Sequence, residues 1–348
     1  MAIPETSMKI TGVWISISRM RWFFLAGAFS VCCLLGARWE RRLPVFTQDG
    51  TLLHAQASGG EWPESPGHAE DGTFQRIEQD EGTFQAQYGF INFNRDRLSV
   101  RFRIAKKDFW DYVEGYGYTD REIGQVHLWH KNALQKAYQS ALELGYAQAQ
   151  LDLVSKGLEK EYQTRLREYL SSRGFVLRPG NVAEADIPGT VRRNSSYLKS
   201  LALTFENIAA ERGYGSEDIV GAVTSMVQTS IRYRIPPSLE GGRHTGGILP
   251  PLKSLVLGWG DCDTKTGLLA SILSNWDQIR MVGIAVPGHY LMGILRSPNK
   301  GDWFIEYKGL QYVLIEPAGP AWLEPGSIGD DTGPLLESDQ GYRIEPFS

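Results

Sequence analysis

Apolar and polar residues alternate from Tyr88 to Ile104 on either side of Asn94-Arg95-Asp96-Arg97, which predicts a β-hairpin around a polar turn. From Thr119 to about Arg173 the pattern changes to good helix formers with scattered apolar positions and no proline. One long helix, or two broken near Gly145, fits that stretch. A loop containing Pro and Gly runs from Arg178 to Gly189, and two further helical stretches follow, Ser195 to Arg212 and Ser216 to Ser230. In the second, Ser216-Glu217-Asp218 provides a cap and acidic first-turn residues ahead of the stripe Ile219, Val223, Met226 and Val227. After Gly258 a glycine-rich turn leads into a predicted helix from Cys262 to Asn275. Short apolar strands are expected at Met281–Val286, Tyr290–Leu295, Trp303–Tyr307 and Tyr312–Glu316. Helices followed by an antiparallel sheet predict an α+β fold.

Two N-terminal stretches break these rhythms. From Leu43 to about Gln75 the chain is rich in Gly, Pro, Asp, Glu, Ser and His without a sustained period, and it reads as a flexible tether. Before it, the uncharged run Trp22–Ala37 is bracketed by Arg19 and Arg21 on one side and by Arg38, Arg41 and Arg42 on the other. At 16 residues it is short of the roughly 20 of a comfortable transmembrane helix, a gap that snorkelling arginines and local thinning can close. We read a signal anchor. A cleaved signal peptide, with Ala28-Phe29-Ser30 as its small-x-small site, is the alternative. The flanking charge is balanced and does not orient the segment. The expected organisation is a membrane-targeting segment (1–42), a linker (43–75), a β-hairpin plus helical region (76–190) and a C-terminal catalytic domain (191–348). The folded part is expected on the extracytoplasmic side of a membrane.

Composition narrows the chemistry. A net charge of −4 over 348 residues, with no dense basic block interleaved with aromatics, carries no nucleic-acid footprint. Of three cysteines, Cys32 and Cys33 lie in the apolar run and leave Cys262 alone, which excludes a disulfide framework. A lone cysteine is usually a small buried hydrophobe. Its neighbours here say more: Gly258 and Gly260 permit a sharp entry, Asp261 can cap the helix, and the helix start offers unpaired N–H groups to a thiolate. Asp263 acts against that, because a carboxylate beside the thiol opposes thiolate formation. A nucleophilic cysteine also needs a base oriented by a third group. His289, after Pro287-Gly288 at a strand start, and Glu316, closing an apolar strand before Pro317, supply such a pair.

Together, Gly260-Asp261-Cys262-Asp263, Gly288-His289 and Tyr312-Val313-Leu314-Ile315-Glu316-Pro317 resemble the transglutaminase-like superfamily, in particular its bacterial cysteine peptidases. Val227-Gln228-Thr229-Ser230-Ile231-Arg232-Tyr233 is similar to the helix end ahead of the catalytic loop, and the resemblance spans roughly Ile219 to Gly326. The third member of that family's triad is more often Asp than the Glu found here. The resemblance implies a papain-like core, a Cys-bearing helix packed on an antiparallel sheet, with the helical region as an N-terminal extension. It implies acyl transfer through a thioester on a peptide or protein substrate. Water or an amine can resolve the thioester. Oxyanion donors are expected in the Cys262 N–H with the side chain of Gln228 or Trp259.

No cofactor or metal is expected. His127 and His130 stand at i and i+3 on a predicted helix without a second ligand pair nearby. The loop Gly241–Gly247, with His244, can line or cover the cleft, but it lacks the Lys-Ser/Thr ending of a phosphate-cradling loop. The rival reading is a non-catalytic module of the same fold that engages a partner through Thr119–Arg173.

Overall fold

The computed structural model describes residues 73–319, 322–339 and 341–347. The apolar run Trp22–Ala37 and almost all of the expected tether lie outside them. Among the described residues no helix is long and apolar enough to cross a membrane.

The predicted hairpin is two strands of a three-stranded meander, β1 (Phe74–Gln79), β2 (Thr83–Ile91) and β3 (Arg97–Ala105), antiparallel throughout. Phe74 and Gln75, assigned to the tether from composition, therefore belong to a strand. In β3 the alternation has a direct physical outcome: Leu98, Val100, Phe102 and Ile104 are buried while the arginines between them face outward. Helix α1 (Lys106–Gly115) follows, and then a pair of 25-residue helices, α2 (Asp120–Leu144) and α3 (Gln148–Ser172). A capping box of Thr119 and Glu122 starts α2, and Gly145 ends it in the left-handed region at φ 65°. Two helices, rather than one, fill Thr119–Arg173.

A small hairpin, β4 (Phe175–Arg178) and β5 (Val182–Ala185), leads to α4 (Ile187–Asn194), a single 3₁₀ turn (Ser195–Leu198), α5 (Lys199–Arg212) and α6 (Ser216–Ser230). Helix α6 has the predicted bounds but a different cap: Gly215 takes the cap position, and its N–H donates to Asp218 at 2.9 Å. The chain then forms three two-residue strands and a short helix. These are β6 (Arg232–Tyr233), β7 (Leu239–Glu240), β8 (Arg243–His244) and α7 (Pro251–Leu257). Strand β9 (Trp259–Gly260) pairs in parallel with β6, matching Arg232 to Trp259 and Tyr233 to Gly260.

Helix α8 (Cys262–Leu273) packs on a five-stranded antiparallel sheet of order β12-β13-β11-β10-β14. Its members are β10 (Met281–Val286), β11 (His289–Leu295), β12 (Phe304–Tyr307), β13 (Leu310–Ile315) and β14 (Arg343–Pro346). Strand alternation gives this sheet two apolar faces. Tyr290, Met292, Val313 and Ile315 join the main core with Leu268, Leu269 and Ile272 of α8. Val282, Ile284, Leu291 and Leu314 form a second cluster, against which Leu335 and Leu336 of α9 (Thr332–Leu336) pack. The architecture is α+β. The main core also includes Phe84, Tyr88 and Phe102 of the meander and Leu166 and Leu170 of α3, so one hydrophobic cluster runs across position 190 without a break. The Tyr88 hydroxyl donates to the Leu255 carbonyl of α7, and Ser230 Oγ donates to the Gly89 carbonyl at 3.0 Å, which fastens the meander to the elements around Cys262.

Candidate active site

The entry to α8 is built by two glycines with different tasks. Gly258 closes α7 in the left-handed region at φ 71°, where a side chain would be strained. Gly260 lets the backbone pass close to its neighbour, since a Cβ there would stand 2.3 Å from Thr264 Cγ2. The Asp261 side chain caps the helix, accepting from Thr264 N at 3.1 Å. Cys262 follows as the first helical residue and is buried at 7% exposure. Its N–H, like the others of the first turn, has no partner within the helix.

His289 begins β11, directly after the β10–β11 turn in which Gly288 has φ 75°. The register of β11 with β13 pairs Met292 with Ile315. Continued by one residue, it sets Glu316 opposite Leu291, on the face that His289 shares. The side chains meet there: His289 Nε2 lies 2.9 Å from both Oε1 and Oε2 of Glu316. Thr332 of α9 donates its hydroxyl to Glu316 Oε2 at 2.9 Å, a contribution from 16 residues further along the chain. With Nε2 turned to the acid, Nδ1 is the ring nitrogen left over, and His289 lines the same cleft as Cys262, whose charge it feels.

Charge in this group is set by burial and by these partners. Burial opposes a positive His289, but the hydrogen bonds to Cys262 and Glu316 and their attraction outweigh it and hold the imidazole up at about 10. Burial also raises Asp261. Asp263, desolvated and close to the negative charge of Asp261, is raised to about 7 although His289 pulls it down. Its carboxylate stands 3.9 Å from Cys262 Sγ. At pH 8 this group has lost its proton and opposes a neighbouring thiolate, whereas at pH 6 it is neutral. Asp263→Asn is therefore expected to raise the rate of Cys262 alkylation by iodoacetamide roughly fivefold at pH 8 and to leave it unchanged at pH 6. Superimposable wild-type and variant rates across that range would remove Asp263 from the site's electrostatics.

Cys262, Asp263 and His289 line a cleft of about 710 Å³ together with Ile187, Tyr233, Ile235, Val286, Tyr342 and Arg343. One rim is pinned by ion pairs in which Arg178 and Arg343 both bridge Glu184 and Glu345. Asp261, Cys262 and Asp263 present potential metal-ligand atoms within 4.8 Å of one another. Asp261 Oδ1 is engaged by the helix cap.

Neither of the side-chain oxyanion donors expected from sequence lines the cleft. Gln228 Nε2 donates to the carbonyls of Glu316 at 2.8 Å and Leu323 at 2.9 Å, and its Oε1 accepts from Leu323 N at 3.0 Å. Both of its amide hydrogens are thus taken. Trp259 has the Arg234 guanidinium over its ring at 4.6 Å and does not line the cleft. Tyr233, carried to the Cys262 side by the parallel β6–β9 pairing, lines the cleft with the thiol. Burial and the surrounding negative groups raise this phenol.

No family model matches the chain, and no curated protein or solved structure matches it. The residues outside the cleft have local roles. His244 bonds Asp120 at 2.8 Å and stacks on Tyr118, bracing the start of α2, while Gly246 of the same loop lines the cleft as expected of that loop. His127 Nδ1 meets the Tyr162 hydroxyl at 2.8 Å and His130 stacks on the Tyr162 ring, both joining α2 to α3. Tyr233, Thr332 and Lys265 are site neighbours that sequence reasoning left out. Only Lys265 carried a local signal: it is the single basic residue of a helix that is otherwise apolar or small after Asp263.

Proposed function

We propose that this chain is a transglutaminase-like cysteine enzyme that cleaves or transfers an amide bond of a peptide or protein through a thioester. The observation that carries the reading is His289, held by Glu316 at 2.9 Å, on the wall of a large cleft that it shares with a thiol at a helix N-terminus. On this reading α8 with β10–β13 is a papain-like core, and the membrane-targeting segment tethers it on the extracytoplasmic side.

The chemistry follows from the positions. His289 takes the thiol proton, and Sγ attacks the carbonyl carbon of the scissile amide. The oxyanion forms beside the Cys262 N–H and the Tyr233 hydroxyl. On collapse the C–N bond breaks, and the imidazolium returns the proton to the departing amine. The thioester is then attacked by water, or by an amine, with His289 as base, and the C–S bond breaks to restore the thiol. Glu316, holding Nε2, keeps Nδ1 aimed at sulfur.

Alkylation of the intact protein tests this. At pH 5, iodoacetamide should modify Cys262 within minutes while glutathione in the same tube reacts far more slowly, with the site read by peptide mapping. A Cys262 no faster than glutathione would exclude an activated nucleophile. On a turned-over peptide, Tyr233→Phe should lower kcat roughly 10- to 100-fold with little change in KM. An unchanged kcat would return the donor role to the backbone alone.

A second reading draws on α2 and α3, where Leu142 and Leu153 are 80% and 73% exposed. Exposed apolar residues on a helix pair suit a partner surface. A chain inert to iodoacetamide would favour that reading.

A further inference from the structure

The most deeply buried charge-bearing side chain beside the site takes no part in the chemistry above. Lys265 lies one turn beyond Cys262 on α8, is 0% exposed, and donates from Nζ to the Gln228 carbonyl at 3.2 Å. Gln228, near the end of α6, uses its side chain to hold the Glu316 carbonyl and both the N–H and the carbonyl of Leu323. Gly319, three residues after Glu316, comes down onto the pair. A Cβ at that position would fall 2.1 Å from the Gln228 carbonyl oxygen and 3.1 Å from Lys265 Nζ, so only glycine permits the approach. Helix α8, which carries the thiol, is thereby joined through Lys265 and Gln228 to the backbone of the residue that carries the carboxylate. The lysine charge acts on Glu316 as well.

We propose that Lys265 and Gln228 are positioning residues, a buried strut that fixes the distance between the Cys262 helix and Glu316 and so keeps His289 paired with both. This rests on the reading of Cys262 as the nucleophile and adds the part of the molecule that aligns its acid. Sequence economy argues against a merely structural role. A buried lysine is costly to fold, and an apolar residue of similar length would pack there at lower cost. Burial holds Lys265 down at about 7 against the pull of Glu316, which is the expense of keeping it.

Lys265→Met separates the two roles, because it should make the protein at least as stable thermally and yet a worse enzyme. In the full chain, the pH at which Cys262 alkylation by iodoacetamide is half-maximal should rise by about one unit as the Glu316–His289 contact slackens. Gly319→Ala, which pushes on the same strut from the other side, should give the same direction of shift. The double variant should be no worse than the stronger single one. A Lys265→Met protein whose alkylation profile overlays the wild type, or moves to lower pH, overturns the proposal and leaves the nucleophile assignment standing. A wild-type Cys262 that fails to react at pH 5 overturns both.

Discussion

Cys262→Ala is expected to lower kcat by on the order of 10⁴-fold or more on any peptide the wild type processes, because the thioester cannot form without sulfur. The fold should survive. Cys262 is one small side chain at a helix start, and Asp261 keeps the cap with Thr264 in its absence. His289→Ala should be nearly as severe, since one imidazole both accepts the thiol proton and returns it to the leaving group. Residues that act as a unit are strongly non-additive, so Cys262→Ala combined with Glu316→Gln should be no slower than Cys262→Ala alone. Steady-state kinetics of the purified proteins, with thermal melts as the check on folding, measure all three. Wild-type turnover by Cys262→Ala would move the search for function to binding, and the same protein, if it binds peptide without releasing product, becomes a trap for the natural substrate.

Glu316→Gln tests the orienting role. Glutamine keeps the shape and an acceptor for His289 Nε2 but loses the charge, so kcat should drop roughly 10²-fold and not vanish. The same variant has a stability signature. His289 is held up at about 10 in the folded chain, against 6.5 for the ordinary imidazole, by its partners Cys262 and Glu316 after burial has opposed it. A folded-state value above the unfolded one means that the folded protein binds the extra proton between those limits. Stability from this group is therefore full below about pH 6.5 and is lost as pH rises through about 10. Chemical denaturation of wild type and Glu316→Gln should differ by about 3 kcal/mol at pH 6 and converge toward pH 10. A constant difference across that range would mean that the pair carries no linked proton.

Local pattern sufficed wherever one element decided the outcome. The alternation of Leu98, Val100, Phe102 and Ile104 made β3, Gly145 split the helical stretch, and Gly258-Trp259-Gly260-Asp261 placed Cys262 at the first position of a helix, each through contacts within a few residues. The three candidate residues were also visible singly, as a cysteine at a helix start, a histidine after Pro-Gly and an acid at the end of an apolar strand. Their convergence was not. It depends on which strands are neighbours: because β11 lies beside β13, a register of Met292 with Ile315 brings His289 and Glu316 to 2.9 Å. Side-chain amides were read worst, since an amide serves an oxyanion or a backbone equally well until its surroundings are known. Gln228 faces the carbonyls of Glu316 and Leu323, 88 and 95 residues away, and was captured by them. Tyr233 reached the cleft only through a two-residue parallel pairing too short to leave a periodic trace. Thr332 reached Glu316 because α9 packs on the second face of the sheet. Sequence by itself determined the local elements and the kinds of chemistry available, because propensity and periodicity act over a turn or two. Tertiary structure alone decided which groups share a proton, because hydrogen bonds and desolvation depend on distances that strand order and helix packing set.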